Sequence, residues 1–211
     1  MRVGAFHLTY CTNIHAGEQW PDVARALADV VPRVRAGVGE PAQFGLGLRL
    51  SADAAHALAT GSALADFAAF LRRERAYVFT INGFPYGAFH GQRVKEQVYL
   101  PDWRDPRRLE YTDRLAEILA ALLPDDVNEG SVSTVPGGFK AHCRTAGDRE
   151  SIAANLRAHA RRLRDLRDRT GRTIRLALEP EPACLFETVE ETRTFFDRYL
   201  DDATTREFIG V

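Results

Sequence analysis

The sequence lacks any apolar run approaching the ~20 residues that a membrane-spanning helix needs, and its start, M-R-V-G-A-F-H, lacks the uninterrupted apolar stretch of a signal peptide. A cytoplasmic location is the resulting expectation. Cysteine is scarce: Cys11, Cys143 and Cys184 are odd in number, far apart and outside any C-x-x-C arrangement. Neither a disulfide framework nor a zinc knuckle follows, and all three read as free thiols. Net charge is nearly absent too, with 28 basic against 29 acidic residues over 211. No overall field steers the chain toward nucleic acid or an anionic membrane, so neither is expected as a partner. Lysine is limited to Lys95 and Lys140, the remaining basic residues being arginines. Neither G-x-G-x-x-G nor the P-loop pattern occurs, which removes the phosphate-binding turn of a dinucleotide fold.

What is present is an ordinary globular composition, 45% apolar and 27% charged, enough for one sizeable core, and a single domain over residues 1–211 is expected. Apolar, β-branched and aromatic runs alternate with helical spacing. Strands are expected at 3–10, 44–50, 76–81, 130–135, 173–178 and 207–211. Helices are expected at 21–34, with Pro32 ending or kinking the last turn, over 52–71 behind a Ser51 cap, and at 107–123, 149–169 and 189–200. The arginine-studded segment 149–169 carries Ile152, Leu156, His159, Leu163 and Leu166 as its inward stripe, its charged side facing solvent.

Alternating strands and helices predict a parallel sheet with right-handed crossovers. Polar, aromatic and glycine-rich residues concentrate in the loops after the strands, where barrels place function, so an α/β (β/α)8 TIM barrel is preferred to an open sheet. A closed barrel takes ~250 residues. The expectation is therefore an incomplete barrel of about five βα units plus the start of a sixth strand, a C-terminally truncated product.

Chemistry centres on R-L-A-L-E-P-E-P, where an apolar strand delivers Glu179 at its C-terminal end and Glu181 follows two residues later. A carboxylate there points into a barrel mouth, where hard divalent ions take oxygen ligands; the plainer alternative is a carboxylate bonded to a neighbouring arginine or backbone. His15, His90 and His142 fall in loops after strands and could hold substrate or shuttle protons, or simply be solvated. Lys95 and Lys140 also follow strands, as substrate-binding ammonium groups or as solvated surface residues. Trp20, Phe84, Tyr86, Phe89, Tyr99 and Trp103 gather in or beside the loops, suiting either the wall of a pocket for a ring-like polyol or loop packing.

The stretches L-T-Y-C-T-N-I-H-A-G-E (8–18), F-G-L-G-L-R-L-S (44–51), F-T-I-N-G-F-P-Y-G-A-F-H-G (79–91), V-K-E-Q-V-Y-L-P-D-W (94–103), S-T-V-P-G-G-F-K (133–140) and L-A-L-E-P-E-P (176–182) resemble the metabolite-traffic protein EboE family of bacteria. The resemblance implies a xylose-isomerase-like barrel, related to sugar isomerases, epimerases and the endonuclease-four group, with one metal ion held by carboxylates and histidine from strands five to eight. On that resemblance Glu179 is a metal ligand for Zn, Mn or Mg, the other ligands lying beyond Val211. The implied chemistry is isomerisation or epimerisation of a polyhydroxylated metabolite. Glu181 or Glu187 would then be placed to move the proton, and His15, Asn82, His90, Lys95 and Lys140 would line the pocket. The alternative is a non-catalytic metabolite-binding or trafficking protein that docks on a membrane-associated or pathway partner. An abasic-site nuclease stands third, because it calls for a basic DNA-facing surface.

Overall fold

The computed structural model describes residues 1–4, 6–88 and 95–211, with the side chain of Lys95 outside that description. Six strands form one parallel sheet: β3 (Tyr10–Cys11), β4 (Phe44–Arg49), β5 (Ala76–Asn82), β6 (Glu129–Thr134), β7 (Thr173–Leu178) and β8 (Ile209–Gly210). Their spatial order is their chain order. A doubly wound sheet reverses direction from its first strand; successive right-handed crossovers without reversal put every helix on one face and curl the sheet. The chain is therefore an arc of a (β/α) barrel, incomplete as expected.

The helices are α1 (Trp20–Gly37), α2 (Ala52–Leu58), α3 (Ala63–Arg73), α4 (Pro106–Leu122), α5 (Ala146–Thr170), α6 (Val189–Tyr199) and α7 (Ala203–Phe208). Local chemistry starts α1, α2, α4 and α6 within a residue of where the sequence places them, whereas α5 begins three residues earlier than expected and the starts of α3 and α7 were not expected. Ser51 accepts a hydrogen bond from Ala54 N at 3.1 Å, and Thr145 with Asp148 and Thr188 with Glu191 close capping boxes on α5 and α6. No single helix among the described residues is long and apolar enough to cross a membrane, although the pair α2 and α3, bent by 89°, passes together on length and composition.

Four expectations change. The helix expected over 52–71 is two, α2 and α3, bent by 89° across residues 59–62. Residues 3–10 do not form one strand: Arg2–Val3 (β1) and Phe6–His7 (β2) pair antiparallel, and only Tyr10–Cys11 joins the sheet. Pro32 lies inside α1, which continues to Gly37. Segment 207–211 contributes two strand residues because α7 extends to Phe208, whose ring is fully buried.

The core lies between sheet and helices. Glycine marks that face: a Cβ on Gly83 would meet Leu115 of α4 at 2.6 Å, and one on Gly130 would meet Leu119 at 3.0 Å. Val78, Ile81, Val132, Ile174, Leu176 and Leu178 fill the same layer, each at most 1% exposed. Successive side chains alternate across a strand. The opposite, concave face of β5 to β7 is therefore carried by Thr80, Asn82, Ser131, Ser133, Arg175 and Ala177, residues that are half-buried or exposed. A closed barrel normally packs this face with branched apolar layers; here it carries hydroxyls, with Thr80 Oγ1 3.0 Å from Ser131 Oγ.

At the foot of that face sits the β1–β2 hairpin. Arg2 pairs with Asp126 at 2.9 Å, and His7 lies 3.0 Å from the Tyr77 hydroxyl and 4.7 Å, ring to ring, from Phe79. Gly45, in register with Tyr77, has no room for a side chain: a Cβ would strike Leu8 O and lie 2.7 Å from Met1 N.

Candidate functional site at the C-terminal ends of the strands

The mouth of the arc is built by the loops that follow the strands, and buried side chains lock those loops to one another. Arg49, at the end of β4 and 3% exposed, pairs with Glu18 at 2.9 Å and donates to Gly17 O and Gly87 O. Tyr111 of α4 donates to Leu50 O at 2.5 Å, and Arg108, fully buried, donates to Gly83 O, Phe84 O and Pro101 O. Burial pushes the Arg108 guanidinium down to about 10, while the rings of Tyr86 and Tyr111, each 5.6 Å away, partly offset the lost hydration.

Within this frame Glu179 emerges one residue past β7. Its amide extends the ladder to Thr134 O at 3.0 Å, and its half-buried carboxyl meets the Ser133 side chain. Burial raises its proton affinity above the ordinary carboxylate range; the Ser133 hydrogen bond opposes this, and the charge of Glu181 adds to it. Ser133 pairs in register with Asn82 on one side and Ala177 on the other, so Glu179, Ser133 and Asn82 share the top of the concave face. Asn82 Oδ1 accepts from Phe84 N at 2.9 Å, which sets the first turn of the long loop after β5.

The other candidates fall in different places. Glu181 begins the turn 181–184, its amide bonded to Phe186 O at 3.1 Å. Lys140 Nζ lies 2.8 Å from both Glu187 and Glu191. This triad is about 40% exposed; it lowers the proton affinity of both carboxyls and raises that of the lysine. His15 shares a 2.7 Å hydrogen bond with the Tyr10 hydroxyl beside the edge strand. His142 packs on Phe139 at 5.5 Å. His90 lies outside the described residues, as does the side chain of Lys95.

The loop aromatics divide into separate groups. Trp20 packs on Phe67 between α1 and α3, Tyr86 on Tyr111, and Trp103 is fully buried, donating to Thr134 Oγ1 at 3.2 Å. Phe89 lies outside the described residues. Phe84 and Tyr99 belong to one line of rings that Phe139 continues. Sequence reasoning passed over Phe139 and Ser133 as site residues. The S-V-S alternation at 131–133, polar where a parallel strand is usually apolar on both faces, was the available signal for the second.

Among the described residues, no group of three His, Cys, Asp or Glu side chains converges as a metal cage would. No protein-family model matches the chain, and no curated protein matches it. Among solved structures it is similar to the IOLI protein with a bound zinc atom, at 15% identity and a TM-score of 0.48 over 86% of this chain and 55% of that one. It is also similar to 3-keto-D-glucoside 4-epimerase, YcjR, from E. coli in its apo form, at 15% identity and a TM-score of 0.47 over 86% of this chain and 63% of that one. The chain thus spans little more than half the length of these two proteins, and what lies behind the site is its own α/β arc of parallel strands with Glu179 at the mouth.

Proposed function

We propose that this chain, a single domain over residues 1–211, holds a polyhydroxylated small metabolite at the mouth of the arc. There it moves a proton beside the metabolite's carbonyl group, as a sugar or cyclitol isomerase does in the cytoplasm. The observation that carries the reading is Glu179: a half-buried carboxyl with raised proton affinity, at a strand end, next to the hydroxyl of Ser133, which Asn82 flanks in register on the neighbouring strand. A carboxyl tuned upward takes a carbon-bound proton better than an ordinary one, and Ser133 and Asn82 are the groups that would bind hydroxyls. Glu187 is a poorer base, since Lys140 holds it ionised. Glu181 is left to shape the proton affinity of Glu179.

One base on one face of a bound ketose or aldose suits a proton shift between adjacent carbons. An epimerisation that delivers the proton from the opposite face needs a second group. A Zn, Mn or Mg ion would polarise the carbonyl in such chemistry. Glu179 with Glu181 does not by itself make the roughly six-oxygen donor set of a hard ion, and the proton transfer assigned to Glu179 uses its carboxyl alone. The kinship with the metabolite-traffic family is a proposal of the same rank, supported by the loop motifs that carry the resemblance. In the non-catalytic reading the same mouth binds the metabolite for a trafficking partner, and the engagement of Lys140 and Glu187 with each other favours it, since both are withdrawn from chemistry.

The deciding experiment incubates the protein in D2O with D-fructose, D-tagatose and a keto-cyclitol and follows the proton beside the carbonyl by NMR. Exchange is expected in the parent and should fall about 10²–10⁴-fold in Glu179→Gln. Binding without exchange would move the trafficking reading to first place. Neither binding nor exchange would end both.

A further inference from the structure

Across the mouth runs a line of aromatic rings contributed by three separate loop positions. Phe84 follows β5, Tyr99 ends the short 3-10 helix Lys95–Tyr99, and Phe139 follows β6. Tyr99 and Phe139 stack with centroids 5.6 Å apart and planes within 25°; Phe84 closes on Tyr99 edge to face at 5.6 Å. All three are half-buried, each keeping part of its surface open. Phe84 and Tyr99 rest on the apolar core, yet the charge of Glu181 reaches the Tyr99 hydroxyl, so the line of rings borders both an apolar floor and a carboxylate.

Phe139 bridges antiparallel to Cys184, flanked by Lys140 N to Ala183 O at 2.8 Å and Leu185 N to Gly138 O at 2.9 Å. That clamp holds the ring against the turn 181–184, which Glu181 opens and whose own strand delivers Glu179. The Tyr99 hydroxyl hydrogen-bonds with Cys184 in the same turn, and burial, with the charge of Glu181 in support, pushes the phenol up to about 12. Tyr99 therefore stays neutral and keeps a fixed ring.

We propose that the Tyr99–Phe139 pair is a stacking plate for the C–H face of a pyranose-type ring, set so that the hydroxyl edge of the same ring reaches the carboxylates of Glu181 and Glu179. This deepens the proposed function and rests on it. A flat apolar plate beside carboxylates is the complement of a saturated polyol ring, which has an apolar face and a hydroxyl rim; an open-chain polyol has no such face to lay down. The site therefore selects cyclic over acyclic polyols, and the selection comes from the plate while the carboxylates serve both.

Saturation-transfer NMR and titration with two probes, methyl β-D-glucopyranoside and the open-chain sorbitol, test this on the full chain and its variants Phe139→Leu, Phe139→Tyr and Glu179→Gln, each checked for an unchanged circular dichroism spectrum. The parent is expected to prefer the glucoside, with saturation concentrated on the C–H protons of one ring face. Phe139→Leu should weaken the glucoside about tenfold and leave sorbitol unchanged. Phe139→Tyr, which restores a plate, should stay within about twofold of the parent, a rescue that a merely structural role for the ring would not give. Binding that is weakened by Glu179→Gln but equal in Phe139→Leu and parent would overturn the plate and leave the proposed function standing. No binding of either probe to the parent would overturn the plate, while proton exchange into the ketoses and the keto-cyclitol decides the proposed function separately.

Discussion

Glu179 is held under two opposing demands. The proposed proton transfer needs its carboxyl ionised as a base, while the half-buried site disfavours that charge, so its folded proton affinity lies above the unfolded one. A carboxyl shifted this way contributes stability below its ordinary range and loses it as pH rises through the folded value. Glu179→Gln removes the charge and keeps the shape. We expect it to raise the melting temperature at pH 7, equivalent to about 0.5–2 kcal/mol, with the gap closing toward pH 4; a variant less stable than the parent at pH 7 would contradict the burial argument. His159 shows the opposite shift. Fully buried beneath Trp103, it meets Asp113 at 2.6 Å, and Arg162 pairs with the same carboxylate. Burial pushes it down to about 3. Its stability contribution is present above the unfolded value near 6.5 and drains away on acidification, at about 1.4 kcal/mol per pH unit. Urea titrations between pH 7 and 5 should therefore show a parent slope that His159→Gln reduces by one proton; equal slopes would mean that His159 titrates alike in both states.

At the scale of elements, the loops after β6 and β7 work as one unit because α6 is capped by the residue that also holds Lys140. Glu191 accepts from Thr188 N and Glu187 N, and its other oxygen meets Lys140 at 2.8 Å. Thr188→Ala breaks the capping box and should cost about 0.5–2 kcal/mol by denaturant titration, while the proton exchange proposed for Glu179 should be unaffected, because β7 rather than α6 delivers that residue. These starts were legible in the sequence, for caps act over three residues. The ends of the sheet were not. Residues 3–10 read as one apolar strand, yet positive φ at Gly4 folds them back on themselves. At the other end, the pull of Phe208 into the core extends α7 and shortens the last strand.

Over the whole molecule, stability is expected to be graded from the middle of the sheet outward. β4 to β7 carry six- and seven-residue strands under α4 and α5, while β3 and β8 contribute two residues each and leave Phe6, Leu8, Ile14 and Val211 between 49% and 75% exposed. Local opening follows burial and contact density. Hydrogen exchange should therefore be slowest in β5, β6 and β7 and fastest in residues 1–11 and 209–211; uniform protection across all six strands would show edges held by something other than this arc. By itself the sequence determined the alternation of strands and helices, the inward stripe of α5, the Ser51 cap and the strand-end position of Glu179. Each follows from spacing along a few residues, because period and capping are local. Tertiary structure alone decided that Lys140 and Glu187 neutralise each other, that Trp103 belongs to the core and Phe139 to the mouth, and that the face beneath Glu179 carries hydroxyls. Those outcomes join residues tens of positions apart, and only the register of neighbouring strands brings them together.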